Sequence, residues 1–180
     1  METASATQEE TTPAAVLVSN AGIVITNQYI KQLFMRVDLL SGQQFSSEEN
    51  RLNAVHYLHY LSTGKMLPDG PWLQLNNVLC GIPQEQALTT DFLLSEAHRE
   101  LMDSLLTAMT AHWQAIGSTT HEGFRGAWFV RSGLLTEYPD KWELSVEHRA
   151  YDLLLRKSPF LFSIINFPWM QKPLYVRWDY

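Results

Sequence analysis

Six histidines and one cysteine are the side chains of this sequence best suited to metal binding or proton transfer. His56 and His59 stand three apart in HYLHYL, a spacing that sets two zinc ligands on one helix face. No Cys or acidic pair lies near enough in sequence to complete a tetrahedral site, so they read as amphipathic side chains at the edge of a helix interface. His98, in EAHRE, lacks the HExxH pattern of zinc proteases. His112, His121 and His148 have no partner that sequence assigns. Cys80 sits in the apolar string NNVLCGI with no flanking basic residue to lower its pKa, and reads as a buried structural thiol. There is no GxSxG, SxxK or GxxxxGK[ST], and the Gly-x-x-Gly of HEGFRG is too common to mark a phosphate loop. The acid pairs Glu9/Glu10 and Glu48/Glu49 are adjacent, so on a helix they point apart. No catalytic residue, metal or cofactor is assigned, and the chain reads as a non-enzyme.

The terminal segment SIINFPWMQKPLYVRWDY carries a different chemistry. Two prolines bracket Trp169, Met170 and Lys172. Strand alternation then places Leu174, Val176 and Trp178 on one face and Tyr175 with Arg177 on the other. Two readings stay open. One is a closing strand pinned into the core. The other is an aromatic surface presented to a protein partner, because Trp, Tyr, Met and Arg are enriched at interfaces. On the second reading the contact residues are Trp169, Met170, Lys172, Tyr175, Arg177 and Trp178.

The elements that must position this segment are mostly helical. Residues 1–13 hold little to bury and read as a disordered leader or linker; 14–180 read as one globular domain. AAVLVSNAGIVITN suggests a short strand broken at Asn20–Gly22. Asn27 then caps a helix whose Ile30, Leu33, Phe34 and Val37 form one apolar stripe, with Gly42 past its end. Ser46 and Glu49 have capping-box spacing at the start of a second helix that runs to Gly64. LPDGPW is a turn, and WLQLNNVLCG a short helix. The longest periodic stretch, TDFLLSEAHRELMDSLLTAMTAHWQAI, sets Leu94, Leu101, Leu105, Met109, Trp113 and Ile116 on one broad face closed by Gly117. HEGFRGAWFVR reads as a short helix despite two glycines. LLTEY–PDK–WELSVE is a β-hairpin near 134–147, HRAYDLLLRK a helix, and FLFSIINF and PLYVRW two further strand-like runs. The expected fold is mainly α with a small antiparallel β component near the C-terminus.

Composition agrees with a packed domain and excludes several functions. The 180 residues are 46% hydrophobic, and 13 basic against 19 acidic groups give a net charge of −6. That balance argues against nucleic acid or an anionic membrane as partner. No apolar run approaches the ~20 residues needed to span a bilayer, and the start lacks the basic and apolar regions of a secretory signal. One cysteine forms no internal disulfide, as expected in a reducing compartment. All 21 aromatic residues lie at or beyond Tyr29, and seven fall in Phe160–Tyr180, which makes the C-terminal end the part richest in material for a core or an interface.

VSNAGIVITNQYIKQLFMRVDLL, NRLNAVHYLHYLSTGK, LQLNNVLCGIP and INFPWMQKPLYVRW occur in that order. Together they resemble the tape-measure proteins of contractile injection systems, the phage-tail-like particles made by bacteria. The likeness runs from Val16 to Trp178, with its most distinctive strings at Asn20–Gly22, Leu75–Pro83 and Pro168–Trp178. It implies a structural assembly role in which the chain docks to inner tube, baseplate or spike-hub proteins, or the tube cap, and contributes to tube length control. It implies assembly in the cytoplasm and incorporation into the particle, with a homo-oligomer compatible with the particle's symmetry. The family supplies no catalytic residues to carry over. Even 180 fully helical residues would span only about 270 Å, against roughly 670 residues for a tail on the order of 1000 Å, so the expectation is a globular docking module without the long measuring helix. The alternative is a free-standing helical adaptor that binds a protein or peptide partner through its aromatic C-terminal surface.

Overall fold

The computed structural model describes residues 12–88 and 91–180, so the leader read at 1–13 falls almost wholly outside the described residues. The apolar string AVLV forms β1 (Ala15–Val18). The chain then tightens into a fully buried 3₁₀ helix, Ala21–Thr26, which passes directly into α1 (Asn27–Arg36). Gly22 is required there because a Cβ would fall on the Trp128 carbonyl oxygen. The stripe Ile30, Leu33, Phe34 and Val37 is buried as the spacing predicts. Asn27 is not a cap. The preceding 3₁₀ turn supplies the carbonyls that the first amides need, and Asn27 Nδ2 instead donates to the Leu161 carbonyl at 2.9 Å. Nor does Gly42 close the helix. The chain leaves it through left-handed Asp38, and Gly42 turns the hairpin of β2 (Leu40–Ser41) and β3 (Gln44–Phe45).

The central helix is α2 (Glu48–Thr63), in which every residue from Ala54 to Ser62 is buried. Its cap is Ser47, one residue later than the capping-box spacing suggests, with Oγ accepting from the Asn50 amide at 3.0 Å; Gly64 ends it in the left-handed region. A short 3₁₀ turn, Gly70–Trp72, and α3 (Gln74–Leu79) follow. α4 (Glu96–His112) is shorter than its periodic pattern, and it is rotated. Met102, Leu106, Met109 and Trp113 are fully buried while Leu101 and Leu105 are only partly so. A shift of one position is about 100° of helix, and the apolar doublets Leu101–Met102 and Leu105–Leu106 offer both faces to the core. α5 (His121–Phe124) continues into a π-helix, Arg125–Phe129.

The hairpin forms as read: β4 (Gly133–Glu137) pairs with β5 (Trp142–Val146), Leu135 opposite Leu144. HRAYDLLLRK is a 3₁₀ helix, Ala150–Lys157, followed by the two-residue β6 (Ile164–Ile165) and by β7 (Leu174–Arg177). Together with β1 they make one five-stranded sheet, in the order β1-β4-β5-β7-β6. Here the expected architecture needs correction. β7 lies parallel to β5, with Trp142 opposite Leu174, and antiparallel to β6. The 3₁₀ helix and β6 carry the chain across before it returns, the kind of crossover a parallel pair requires. With 47% of the residues in helical turns of all kinds and 14% in strands, helix outweighs strand as expected in part, but the strands form one mixed five-stranded sheet rather than a small antiparallel component. Leu135, Leu144, Ile165 and Leu174 point into the core, whereas Leu17, Leu134, Ile164 and Tyr175 remain exposed on the opposite face or edge.

Two glycines separate a forced from a free position. Gly22→Ala sets a methyl group against the Trp128–Phe129 backbone and is expected to cost about 3 kcal/mol or more. Gly126→Ala meets nothing within 4 Å and is expected to be neutral or to gain up to about 1 kcal/mol. Urea denaturation of the two variants measures the contrast.

Candidate functional site

The C-terminal segment is built around a buried ion pair. Arg131 and Asp152 are both fully buried, with Nη2 to Oδ1 at 2.7 Å and Nη1 to Oδ2 at 2.8 Å. Arg131 Nε also donates to the Ala127 carbonyl at 3.0 Å and Nη1 to the Glu147 carbonyl at 3.2 Å. Asp152 accepts from the Arg149 amide at 3.0 Å and from Trp178 Nε1 at 2.9 Å. The guanidinium lies 5.0–5.3 Å from the ring centres of Trp178, Tyr151 and Trp128. Arg149 completes the shell by donating to the Gly126 and Val130 carbonyls at 3.1 and 3.0 Å. Two arginines thus satisfy carbonyls of the π-helix and its exit.

This network divides the six residues singled out by sequence. Trp178 is buried as part of it. Trp169 is also buried, stacked on Phe167 at 4.9 Å, with its Nε1 donating to the Leu79 carbonyl at 2.8 Å. The other four reach the surface in two groups. Met170 and Lys172 line a cleft of about 310 Å³ with Ile82, Gln84 and Trp142. Lys172 Nζ is held there by Glu137 at 2.6 Å and the Tyr138 carbonyl at 2.8 Å, with the Trp142 ring 5.0 Å away. Tyr175 and Arg177 stand on the open face of the sheet. Arg177 pairs with Glu143 at 3.2 Å, Glu143 with Lys141 at 3.4 Å, and Lys141 lies 5.2 Å from the Tyr175 ring. Sequence reasoning missed Arg131, Arg149 and Asp152. An acid inside the apolar run AYDLLL is the one signal for Asp152, and nothing in the letters joins it to an arginine 21 residues earlier.

The residues suited to chemistry are otherwise occupied. His56 and His59 are buried, deeper than the interface edge expected of them. His56 stacks on Phe92 at 4.8 Å and His59 meets Trp72 edge-on at 5.9 Å. His98 Nδ1 shares a hydrogen bond of 2.7 Å with the Tyr57 hydroxyl. Cys80 is buried, and burial pushes its thiol pKa up, away from reactivity. Among the described residues no three His, Cys, Asp or Glu side chains gather as a metal site, and no helix is long and apolar enough to cross a membrane.

Two acid-sensitive groups follow from this geometry. Burial alone would raise the Asp152 pKa, but hydrogen bonds from Arg131, the Arg149 amide and Trp178 outweigh it and hold the carboxyl below its usual range. Its contribution is full above the unfolded value of about 3.9 and is lost as pH falls through the lower folded one. Burial and the nearby His56 lower His59 to about 4. Its contribution is therefore full above the unfolded value of about 6.5 and declines as pH falls toward 4. Asp152→Asn is expected to cost about 3–5 kcal/mol at neutral pH, since it leaves Arg131 buried and unpaired. His59→Gln should flatten stability between pH 6.5 and 4 and leave the steeper loss below pH 4. Urea unfolding across pH measures both.

Comparison with known proteins bears on what this arrangement serves. No curated protein and no solved structure matches the chain. The profile of one family, described as contractile injection system tape measure protein, matches residues 1–178, beginning well before the Val16 at which the sequence likeness starts. Since that match covers nearly the whole chain, including the buried network and both exposed groups of the C-terminal segment, the protein belongs to the contractile injection system tape measure protein family.

Proposed function

We propose that this chain is a non-enzymatic docking module of a contractile injection particle, which binds tube, baseplate or spike-hub components through the open face of its sheet and so contributes to tube length control. The observation that carries this reading is the uncovered sheet face. Leu17, Leu134, Ile164 and Tyr175 are 59%, 50%, 54% and 39% exposed, and the charges among them are already paired with one another. An aromatic and aliphatic surface with a pre-ordered polar lattice loses little entropy on binding. The cleft at Met170 and Lys172 extends the contact around the end of the sheet. Length measurement by a long helix has no support in the described residues: their longest helix, of 17 residues, spans about 25 Å. On this reading the chain contributes by docking at a fixed point of the assembly.

The test is to make Tyr175→Ala together with Arg177→Glu. Both side chains are outside the core, so the melting temperature should change by only a few degrees. Co-purification with tube or baseplate proteins should fall at least tenfold. Undiminished association of a folded double variant would place the contact elsewhere.

A further inference from the structure

The sheet has two edges, and they are finished differently. β6 is only two residues long, which is one way native sheets keep an edge from pairing with another chain. β1 has no such protection. It carries no charged residue and no bulge, and each of its residues stands opposite one residue of β4 in unbroken antiparallel register. The Glu137 amide donates to the Ala14 carbonyl, and in an antiparallel ladder bonded pairs alternate with unbonded ones. Ala14, Val16 and Val18 therefore turn their backbone groups toward β4, while Ala15 and Leu17 turn theirs to the open side. Neither has a hydrogen-bond partner there among the described residues. The stretch from Ala14 to Leu17 is exposed throughout, Val16 by 38% and Leu17 by 59%.

The two ends of this open stretch select what pairs with it. At one end Pro13 has no N–H to give. At the other the Ser19 amide is already taken by the Pro71 carbonyl at 3.0 Å. An antiparallel strand of the same sequence, related by a two-fold axis at Val16, sets Pro13 of one copy opposite Ser19 of the other. The two amides that this pair would use are the one that is missing and the one that is already spent. Between those ends the same axis pairs Ala15 with Leu17 twice over, so every open N–H and C=O of Ala15 and Leu17 is met in both copies. Leu17, with its large side chain, then lies against the small Ala15, and Val16 meets Val16 across the axis. A strand without charge also brings no like-charge repulsion to its own pairing. A foreign strand can reach the same amides, but nothing at its ends is matched to Pro13 and Ser19. We infer that β1 is the contact between two copies of this chain, which join edge to edge in an isologous pair so that their sheets become one continuous sheet. β7, with Tyr175 and Arg177, lies beyond β4 and β5 from this edge; the pairing leaves it open and does not rest on it as a contact.

The test is sedimentation of the full chain across a concentration series up to about 1 mM, the weak end of specific association. A reversible monomer–dimer equilibrium is expected. Leu17→Lys, at an exposed site, should change the melting temperature by only a few degrees and weaken association at least tenfold, since an edge lysine blocks strand pairing. Tyr175→Ala plus Arg177→Glu should leave association unchanged. Cysteine variants read the register. An unbonded antiparallel pair holds its Cα atoms about 4.5 Å apart, within disulfide reach, whereas the two copies of Leu17 lie on a diagonal roughly 7–8 Å long. Val16→Cys should therefore form a disulfide-linked dimer on mild oxidation and Leu17→Cys should not, with Cys80 buried and out of reach in both. This readout survives if Leu17→Lys fails to fold. A monomer at every concentration, a trimer or larger ring, full association of a folded Leu17→Lys variant, or linkage through Leu17→Cys in place of Val16→Cys would each overturn the inference. Association lost only in the Tyr175/Arg177 variant would do so too, and would assign the contact to the sheet face. A monomer whose β1 amides gain exchange protection only when tube or baseplate proteins are added would assign the edge to a strand of another protein instead.

Discussion

The C-terminal half depends on one constraint: a guanidinium and a carboxylate taken wholly out of water must have every donor and acceptor met. Desolvating each ion costs several kcal/mol, and their mutual attraction repays this only in good geometry with further hydrogen bonds. Arg131 Nε and Nη1 and Asp152 Oδ2 meet that condition through the Ala127 and Glu147 carbonyls, the Arg149 amide and Trp178 Nε1, while Nη2 and Oδ1 are held by their ion pair at 2.7 Å alone. These partners come from the π-helix, the end of β5, the 3₁₀ helix and the strand that closes the chain. None of the four can be placed without the others. The π-helix itself, whose wide turn presents carbonyls in unusual directions, is matched by the two arginines that receive them.

That constraint also decides what the surface presents. Trp178 is drawn inward by Asp152, and Trp169 by the Leu79 carbonyl. With these two anchors fixed and the strand period being two, Tyr175 and Arg177 have no choice but to face outward. The tryptophans are the frame, and Tyr175 and Arg177 between them are what the sheet face leaves exposed. The segment is a closing strand pinned into the core that also leaves Tyr175 and Arg177 at the surface.

What was legible in the letters, and what was not, follows from the range of the interactions concerned. The stripe of α1, the left-handed Gly64 that ends α2 and the 134–147 hairpin are local, and periodicity or turn chemistry reports them. The choice of buried face on α4 was not local. Leu101 and Met102, like Leu105 and Leu106, are adjacent apolar residues, and only the packing of Met102 and Leu106 against the core selects between them. The parallel pairing of β7 with β5 was equally hidden, because it depends on a crossover whose β6 is two residues long. The 3₁₀ helix at Ala21–Thr26 looked like strand because its residues are β-branched and apolar, and complete burial overrides that preference. Of the site, the strings that mark the family and the six residues from Trp169 to Trp178 were visible; the ion pair that helps sort them into inside and outside was not.

Hydrogen–deuterium exchange, compared between the free protein and the protein within its assembled particle, tests the central claim most directly. The account predicts added protection in 170–177 and 138–145, with the network around Arg131 and Asp152 slow to exchange in both states. Unchanged exchange across those segments, with protection appearing instead over the exposed face of α4, would contradict it.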